Sequence, residues 1–150
     1  MNRRGLILSV LALGAAGFGG ATWFANRPGP VAEAEPVAPE LAEAMIRPYS
    51  PILGPADAPV TIVEFFDPAC GTCKDFYPFV KHLMEANPGK IKLVMRYTPF
   101  HNGSDEVVKI LDAAHLQNKF WDVLEETYAT QSAWAINHTA HPEKLWTILT

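Results

Sequence analysis

The sequence has few cysteines and no cluster of positive charge. Only two of its 150 residues are cysteines, and the formal net charge is −4 at pH 7. Because it has no long run of lysine and arginine, a nucleic-acid-binding surface is not expected, and the partners should be proteins. No internal repeat is visible. With 49% hydrophobic and 19% charged residues, the composition is that of an ordinary globular protein with one domain.

The two cysteines, Cys70 and Cys73, lie two residues apart behind the apolar run 60–66. This β-branched and aromatic run predicts a largely buried strand, and residues 74–86 carry apolar side chains at helical spacing. The pair therefore falls at a strand-to-helix junction, where the unpaired N–H groups and the macrodipole of the helix stabilise a thiolate. The pattern predicts a redox pair in which Cys70 attacks a partner and Cys73 resolves the mixed disulfide.

Two other interpretations of the cysteine pair stay open in the sequence. Together with His138 and His141, the cysteines could supply the four ligands of a zinc site, with both histidines on one face of a helical turn. Alternatively, they could form a static disulfide, although closing so short a loop removes little entropy from the unfolded chain. Either arrangement would describe a non-catalytic, anchored binding protein.

Residues 1–26 form a predicted signal or anchor segment. Arg3 and Arg4 precede the uncharged apolar stretch 5–25, which is long enough for an export signal or one membrane span. The positive charge favours a cytoplasmic N-terminus, which puts the rest of the chain in the periplasm or on the extracytoplasmic face of a bacterial inner membrane. Ala32-Glu33-Ala34 is a candidate cleavage site, so cleavage and anchoring both remain open.

Residues 27–51 form a predicted linker that is rich in proline, alanine and glutamate. Eight of the thirteen prolines lie between Pro28 and Pro59. Such a composition cannot build a core and favours extended backbone. We expect a semi-rigid tether or, behind a cleaved signal, a disordered remnant.

Residues 52–150 are patterned like a folded domain. Two predicted strands, residues 60–66 and 91–97, flank the cysteine helix and make a βαβ unit over residues 59–98. That order predicts parallel pairing through a right-handed crossover, with the cysteine loop at the carboxyl end of the first strand. Residues 103–150 predict helices whose apolar stripes belong to the core.

Two segments resemble the DsbA-like thioredoxin-fold oxidoreductases. The first is residues 54–74, which contain the motif Phe65-Phe66-Asp67-Pro68-Ala69-Cys70-Gly71-Thr72-Cys73-Lys74. The second runs from Arg96-Tyr97-Thr98-Pro99-Phe100-His101 to the helices through Lys119-Phe120-Trp121. In this family a helical domain is inserted into the thioredoxin fold after the second strand. The resemblance covers about residues 52 to 135.

The resemblance implies an α/β thioredoxin-like fold with a helical insertion and the activity of a thiol:disulfide oxidoreductase. It implies that Cys70 is the exposed attacking sulfur, Cys73 the buried resolving sulfur, and Glu64 the buried acid that handles the proton of the inner thiol. It also implies that Pro78 kinks the active-site helix. The only redox group would be the Cys70–Cys73 disulfide, with no cofactor. Partners would be thiols and disulfides of exported proteins, plus a membrane or periplasmic redox partner, with oxidation preferred over reduction or isomerisation.

Glu64 also stands out from the residues alone. A carboxylate in the middle of an apolar strand is costly to bury in its ionised form, so its pKa should be raised, which suits proton transfer near neutral pH. The alternative is an ordinary strand residue that faces solvent. His101, in the loop after the second strand, could in addition support the thiolate.

The sequence departs from the family at two places. Gly71 and Thr72 lack the histidine that strongly oxidising members carry between the cysteines, which leaves the redox direction open. The family also closes its sheet after the insertion with further strands, a cis-proline loop and a last helix, whereas this sequence ends at Thr150. We therefore expect a partial domain without the C-terminal strands. Such a domain would have a thin core and unpaired sheet edges, and could be unstable or inactive alone.

Overall fold

The computed structural model describes residues 19–26 and 37–150. Residues 19–25 are helical and belong to the unit Met1–Pro36, which is separate from the unit Val37–Thr150. Most of the predicted signal or anchor stretch 5–25 and residues 27–36 of the predicted linker lie outside the described residues. Among the residues that are described, no helix has the length and apolar character needed to cross a membrane.

The second unit contains six helices and five strands within residues 37–150. In chain order they are α1 (Pro39–Met45), β1 (Ile52–Leu53), β2 (Val60–Phe66), α2 (Gly71–Ala86), β3 (Ile91–Tyr97), α3 (Ser104–His115), α4 (Phe120–Ala129), α5 (Gln131–Trp134), β4 (Ala135–Ile136), β5 (Thr139–Ala140) and α6 (Pro142–Leu149).

Strands β2 and β3 form the parallel pair that the sequence predicts. Val60 lies opposite Ile91 and Phe66 opposite Tyr97, so the two strands pair over their whole length. The helix α2 connects them, which confirms the βαβ unit and leaves the cysteines at the carboxyl end of β2. The two-residue strand β1, which the sequence analysis did not predict, pairs antiparallel with β3. The order is β1-β3-β2, and β2 is therefore an edge strand of this sheet.

The main core lies between the sheet, α2 and the helical segment. Helix α2 contributes Tyr77 and Val80 from its buried face, and Pro78 lies inside this helix as predicted. Tyr77 and Val80 belong to one core cluster with Phe66, Leu93, Met95, Leu111, Phe120, Leu124 and Tyr128. Side chains of β2 and β3 thus pack against α2, α3 and α4, which places the βαβ unit and the predicted helical segment in one domain.

A second core cluster includes a residue of the cysteine loop. It consists of Ala69, Val107, Trp134, Ala140 and Leu145. Ala69 belongs to the loop before Cys70, whereas the other four residues come from the segment after β3. The loop is therefore packed on the helical segment as well as connected to β2.

Two sequence predictions are wrong. Residues 39–45 of the predicted extended linker are helical, because Arg96 of β3 donates from Nη1 to the carbonyl oxygens of Ala44 at 2.9 Å and Met45 at 2.5 Å. These bonds satisfy carbonyls that would otherwise lack partners at the end of a helix. The predicted all-helical segment 103–150 also contains the antiparallel pair β4 and β5. Asn137 and His138 join these strands with positive φ angles of 50° and 60°, so the histidines 138 and 141 do not share a helical turn.

Candidate active site

Cys70 is the N-cap residue of α2, and Cys73 lies in the first turn of that helix. The backbone of Cys70 is extended, with φ −77° and ψ 119°, and its carbonyl oxygen accepts the N–H of Lys74 at 3.1 Å. Helical hydrogen bonding therefore begins at Cys70, and its side chain sits beside the unpaired N–H groups of the first turn. Both cysteines are free thiols. The predicted placement at a strand-to-helix junction is confirmed.

The environments of the two cysteines differ less in exposure than the sequence analysis predicted. Both residues are half-buried, but only Cys73 packs against the main core. Burial raises the pKa of Cys73 to about 11, and a hydrogen bond with Cys70 together with the charges of Cys70 and Glu64 acts in the same direction. A hydrogen bond from the Asp67 backbone lowers it in part. Cys73 therefore holds its proton at neutral pH.

Glu64 lies in β2, near Cys73. It is 8% exposed, and burial raises its pKa to about 7. Its Oε2 atom is buried and has no hydrogen-bond partner among the described residues. The alternative of a solvent-facing strand residue is therefore wrong. A carboxyl group in this setting exchanges its proton near neutral pH, as the sequence analysis expected.

Glu64 and Cys73 line one open cavity of about 290 Å³. Thr72 and Phe76 of α2 contribute to the same walls. The charge of Glu64 also raises the pKa of Cys73 and, after burial as the larger cause, the pKa of Tyr128. The structure thus brings together the three residues that the sequence analysis named, Cys70, Cys73 and Glu64.

Asp67 is a site residue whose role the sequence analysis missed. Its side chain is fully buried at the end of β2, and its Oδ1 atom accepts the N–H of Ala69 at 2.8 Å and the hydroxyl of Ser104. Its Oδ2 atom accepts the N–H groups of Phe100 at 2.7 Å and His101 at 2.8 Å. Burial alone would raise the pKa of Asp67, but these hydrogen bonds lower it below its ordinary value. An ionised Asp67 therefore ties the cysteine loop to the loop after β3.

His101 contacts Asp67 rather than standing free beside the sulfurs. Its Nδ1 atom lies 3.0 Å from Oδ2 of Asp67, and its ring stacks on the ring of His138 with the centroids 5.6 Å apart. The expectation that His101 supports the thiolate remains a prediction. The bond to Asp67 gives the imidazole a structural role in the β3–α3 loop.

The alternative of a zinc site has no support in the positions of the two histidines. His138 stacks on His101, and Nδ1 of His141 lies 3.3 Å from a carboxylate oxygen of Glu143. Within residues 19–26 and 37–150, no three or more His, Cys, Asp and Glu side chains are arranged to hold a metal ion. The two cysteines and the two histidines therefore do not assemble into one ligand set.

Gln131 is a second site residue that the sequence analysis missed. It is 6% exposed, and its Nε2 atom donates to the carbonyl oxygens of Pro68 at 2.9 Å and Cys70 at 3.1 Å. These partners lie 63 and 61 residues away in the chain. A single glutamine in a helical pattern carries no local signal for such a contact.

A parallel strand pair that carries Cys-x-x-Cys at the start of its crossover helix, followed by a helical segment, defines a thioredoxin-fold protein. The family model described as Thioredoxin matches residues 47–145. The chain belongs to this family, in agreement with the thioredoxin-like fold that the sequence resemblance implied. A comparison with curated protein sequences finds no match.

Solved structures with the same fold include three from different bacteria. A thioredoxin-like oxidoreductase from Silicibacter pomeroyi is 28% identical, with a TM-score of 0.52, over 69% of this chain and 64% of that chain. Oxidised BdbD from Bacillus subtilis is 27% identical, with a TM-score of 0.52, over 67% of this chain and 65% of that chain. ScsC from Proteus mirabilis, in a transitional conformation, is 18% identical, with a TM-score of 0.62, over 98% of this chain and 65% of that chain.

At 18% identity, the likeness to ScsC shows the fold alone. The chain spans 64% of the length of the Silicibacter protein and 65% of the length of BdbD, which is under two thirds of each.

Proposed function

We propose that this protein is a thiol:disulfide oxidoreductase that exchanges disulfides with exported proteins through Cys70 and Cys73. One observation carries the proposal: Cys70 occupies the N-cap position of α2, while Cys73, one turn further on, has its pKa raised to about 11 beside Glu64. In the proposed roles, Cys70 is the sulfur that is attacked and later leaves. Cys73 takes up a proton when it is released, and Glu64 is the acid that lies beside it.

The first step in the oxidising direction breaks the disulfide of the protein. A substrate thiolate attacks Sγ of Cys70, a mixed disulfide forms, and Cys73 leaves as a thiolate. Because the pKa of Cys73 is about 11 and that of Glu64 about 7, the departing thiolate takes up a proton at neutral pH, for which Glu64 is the nearby acid.

The second step completes the oxidation of the substrate. Another substrate thiolate attacks the substrate sulfur of the mixed disulfide, and Cys70 leaves as a thiolate at the N-terminus of α2. Two electrons have then passed from the two substrate thiols to the cysteine pair. A disulfide-bearing redox partner, in the membrane or the periplasm, would restore the oxidised pair by the reverse exchange.

We propose that the cysteine pair oxidises its substrates rather than reducing or isomerising their disulfides. Stabilising the Cys70 thiolate at the N-terminus of α2 stabilises the reduced form of the pair, and a pair with a stable reduced form is an oxidant. The residues between the cysteines, Gly71 and Thr72, add no positive charge to this effect. The N-terminus of α2 would therefore be the main source of oxidising power.

The proposed location is the periplasm or the extracytoplasmic face of the bacterial inner membrane. Its support is the sequence of residues 1–26, with Arg3 and Arg4 before the apolar stretch 5–25. An oxidising compartment would also suit a cysteine pair that works as a disulfide.

Trapping the mixed disulfide tests this function. The full chain is reduced, equilibrated against glutathione buffers and analysed by intact-mass spectrometry, together with the Cys70→Ser and Cys73→Ser variants. We expect the Cys73→Ser variant to accumulate a stable mixed disulfide with glutathione and with a reduced, unfolded model substrate. The Cys70→Ser variant should accumulate little, because Cys73 holds its proton at neutral pH.

Two results would contradict the proposal. One is a cysteine pair in the unaltered chain that stays fully reduced or fully oxidised across all glutathione ratios. The other is equal trapping by both variants, which would remove the distinction between an attacking and a resolving sulfur.

A further inference from the structure

We propose that Gln131 is a positioning residue for disulfide exchange, because its side-chain amide holds the loop that presents Cys70. The inference rests on the proposed function and adds to it a residue from outside the βαβ unit. Its basis is the pair of hydrogen bonds from Nε2 of Gln131 to the carbonyl oxygens of Pro68 and Cys70. One buried amide group thus bonds to both sides of Ala69.

The loop before Cys70 is held from two directions. Asp67 accepts two N–H groups of the loop. Its Oδ1 atom accepts the N–H of Ala69 at 2.8 Å, and its main-chain oxygen accepts the N–H of Cys70 at 3.0 Å. Gln131 donates to two carbonyl oxygens of the same loop, those of Pro68 and Cys70. Because the donors and acceptors of the loop have separate partners, removing Gln131 leaves the carbonyl side without its side-chain donor.

The helix that carries Gln131 is held by burial and by hydrogen bonds to its neighbours. Gln131 is the first residue of α5, whose last residue, Trp134, is fully buried. Nε1 of Trp134 donates to the carbonyl of Thr127 at 3.0 Å, and the carbonyl of Trp134 accepts the N–H of His141 at 2.8 Å. Helix α5, which carries Gln131, is therefore hydrogen-bonded both to α4 before it, through Thr127, and to His141 after it.

The contact affects chemistry through the position of Cys70. The carbonyl of Cys70 accepts from Gln131 and also from the N–H of Lys74, the bond with which α2 begins. The Gln131 amide thereby stabilises the extended backbone that places Sγ of Cys70 at the N-terminus of α2. Without this donor, we expect Cys70 to spend part of its time away from that position, where its thiolate is less stabilised and less well aimed.

The experiment compares Gln131→Met with the matched variant Gln117→Met in the full chain. Both changes replace an amide with a thioether of similar length, but the side chain of Gln117 is exposed and donates to the carbonyl of Ala113, four residues earlier in the chain. Three measurements are made: the pH profile of alkylation of Cys70 by iodoacetamide, the equilibrium constant with glutathione, and hydrogen exchange of the Cys70 amide. Alkylation is read in a Cys73→Ser background.

For Gln131→Met we expect alkylation at neutral pH to slow about tenfold. The equilibrium constant should shift towards a less oxidising pair, and the Cys70 amide should exchange faster. Gln117→Met should leave all three unchanged. In Gln131→Glu, an ionised carboxylate cannot donate to either carbonyl, whereas a protonated carboxyl group has one O–H and can donate to one of them, so the amide of Cys70 should regain part of its protection as the pH falls.

A loss of stability is separated from a loss of positioning by Leu111→Ala, which opens a cavity in the main core and does not remove a partner of the loop. If Leu111→Ala slows alkylation as much as Gln131→Met does, or if Gln131→Met leaves both alkylation and Cys70 amide exchange unchanged, the proposal is overturned. Should Gln131→Met fail to fold, Gln131→Glu carries the same comparison. If the unaltered chain does not exchange with glutathione, the proposed function fails, while amide exchange still decides whether Gln131 positions the loop.

Discussion

The hydroxyl of Ser104 donates to the carboxylate of Asp67, and both side chains are completely buried. This hydrogen bond joins the end of β2 to the first residue of α3, across 37 residues of sequence. The same carboxylate accepts three backbone N–H groups, so one charge organises the cysteine loop, the β3–α3 loop and the start of α3.

Replacing Asp67 with asparagine should destabilise the domain. An asparagine amide nitrogen cannot accept the N–H groups of Phe100 and His101 that Oδ2 accepts in the native protein. We expect the free energy of unfolding at neutral pH to fall by about 2–4 kcal/mol, as measured by urea denaturation. Asp75→Asn is the matched control, because the Asp75 side chain is 77% exposed. A loss no larger than that of the control would contradict the assigned role of Asp67.

Glu64→Gln should change the pH dependence of stability. Since the pKa of Glu64 is raised from 4.5 to about 7 in the folded protein, the folded state binds more protons than the unfolded state between these values. Stability should therefore fall as the pH rises from 4.5 to 7 and stay reduced above it, by about 3 kcal/mol in total. Urea denaturation at a series of pH values should show that Glu64→Gln removes this decrease. Glu85→Gln, an exposed change, should retain it.

Glu64→Gln should also slow the exchange step that involves Cys73. Glutamine cannot protonate the departing Cys73 thiolate or take the proton back, and general acid–base groups contribute about a hundredfold or more in rate. We expect mixed-disulfide formation and resolution at neutral pH to slow by about that factor, without an effect on the alkylation of Cys70 in the Cys73→Ser background. Rapid acid quenching followed by mass spectrometry measures these rates. Unchanged rates would remove Glu64 from the proposed mechanism.

Arg96→Met should release the helix α1 from the sheet. The guanidinium of Arg96 is the donor to the carbonyls of Ala44 and Met45, and it also lies over the ring of Phe65, 5.4 Å from the centroid. Without these contacts, we expect faster proteolytic cleavage within residues 39–47 and a loss of about 1–2 kcal/mol in unfolding free energy. The control is Lys92→Met, which removes another cation of β3. Lys92 donates to the carbonyl of Ala56 at an exposed site, so its loss should leave the cleavage rate unchanged.

Much of the fold and part of the site follow from local patterns. The apolar run 60–66 and the helical spacing of residues 74–86 predict the strand and helix that flank the cysteines, and the structure confirms both. The periodicity of Val107, Ile110, Leu111 and Ala114 likewise predicts the core-facing side of α3, where all but the partly buried Ile110 are buried. Glu64 could be found because a carboxylate inside an apolar strand is conspicuous within its own segment.

By contrast, Asp67, Ser104 and Gln131 gain their roles only when distant segments meet, and nothing in the neighbouring residues distinguishes them from surface polar residues. The sequence did not predict the helix α1 for the same reason. Its terminal carbonyls, those of Ala44 and Met45, are bonded to Arg96, which lies 52 and 51 residues later in the chain.

The sequence by itself determined the secondary structure of the βαβ unit and the identity of its reactive groups, since these depend on spacing within one element. Only the tertiary structure decided how the cysteine loop is held, because hydrogen bonds between segments depend on which buried donors and acceptors the folded chain brings within reach.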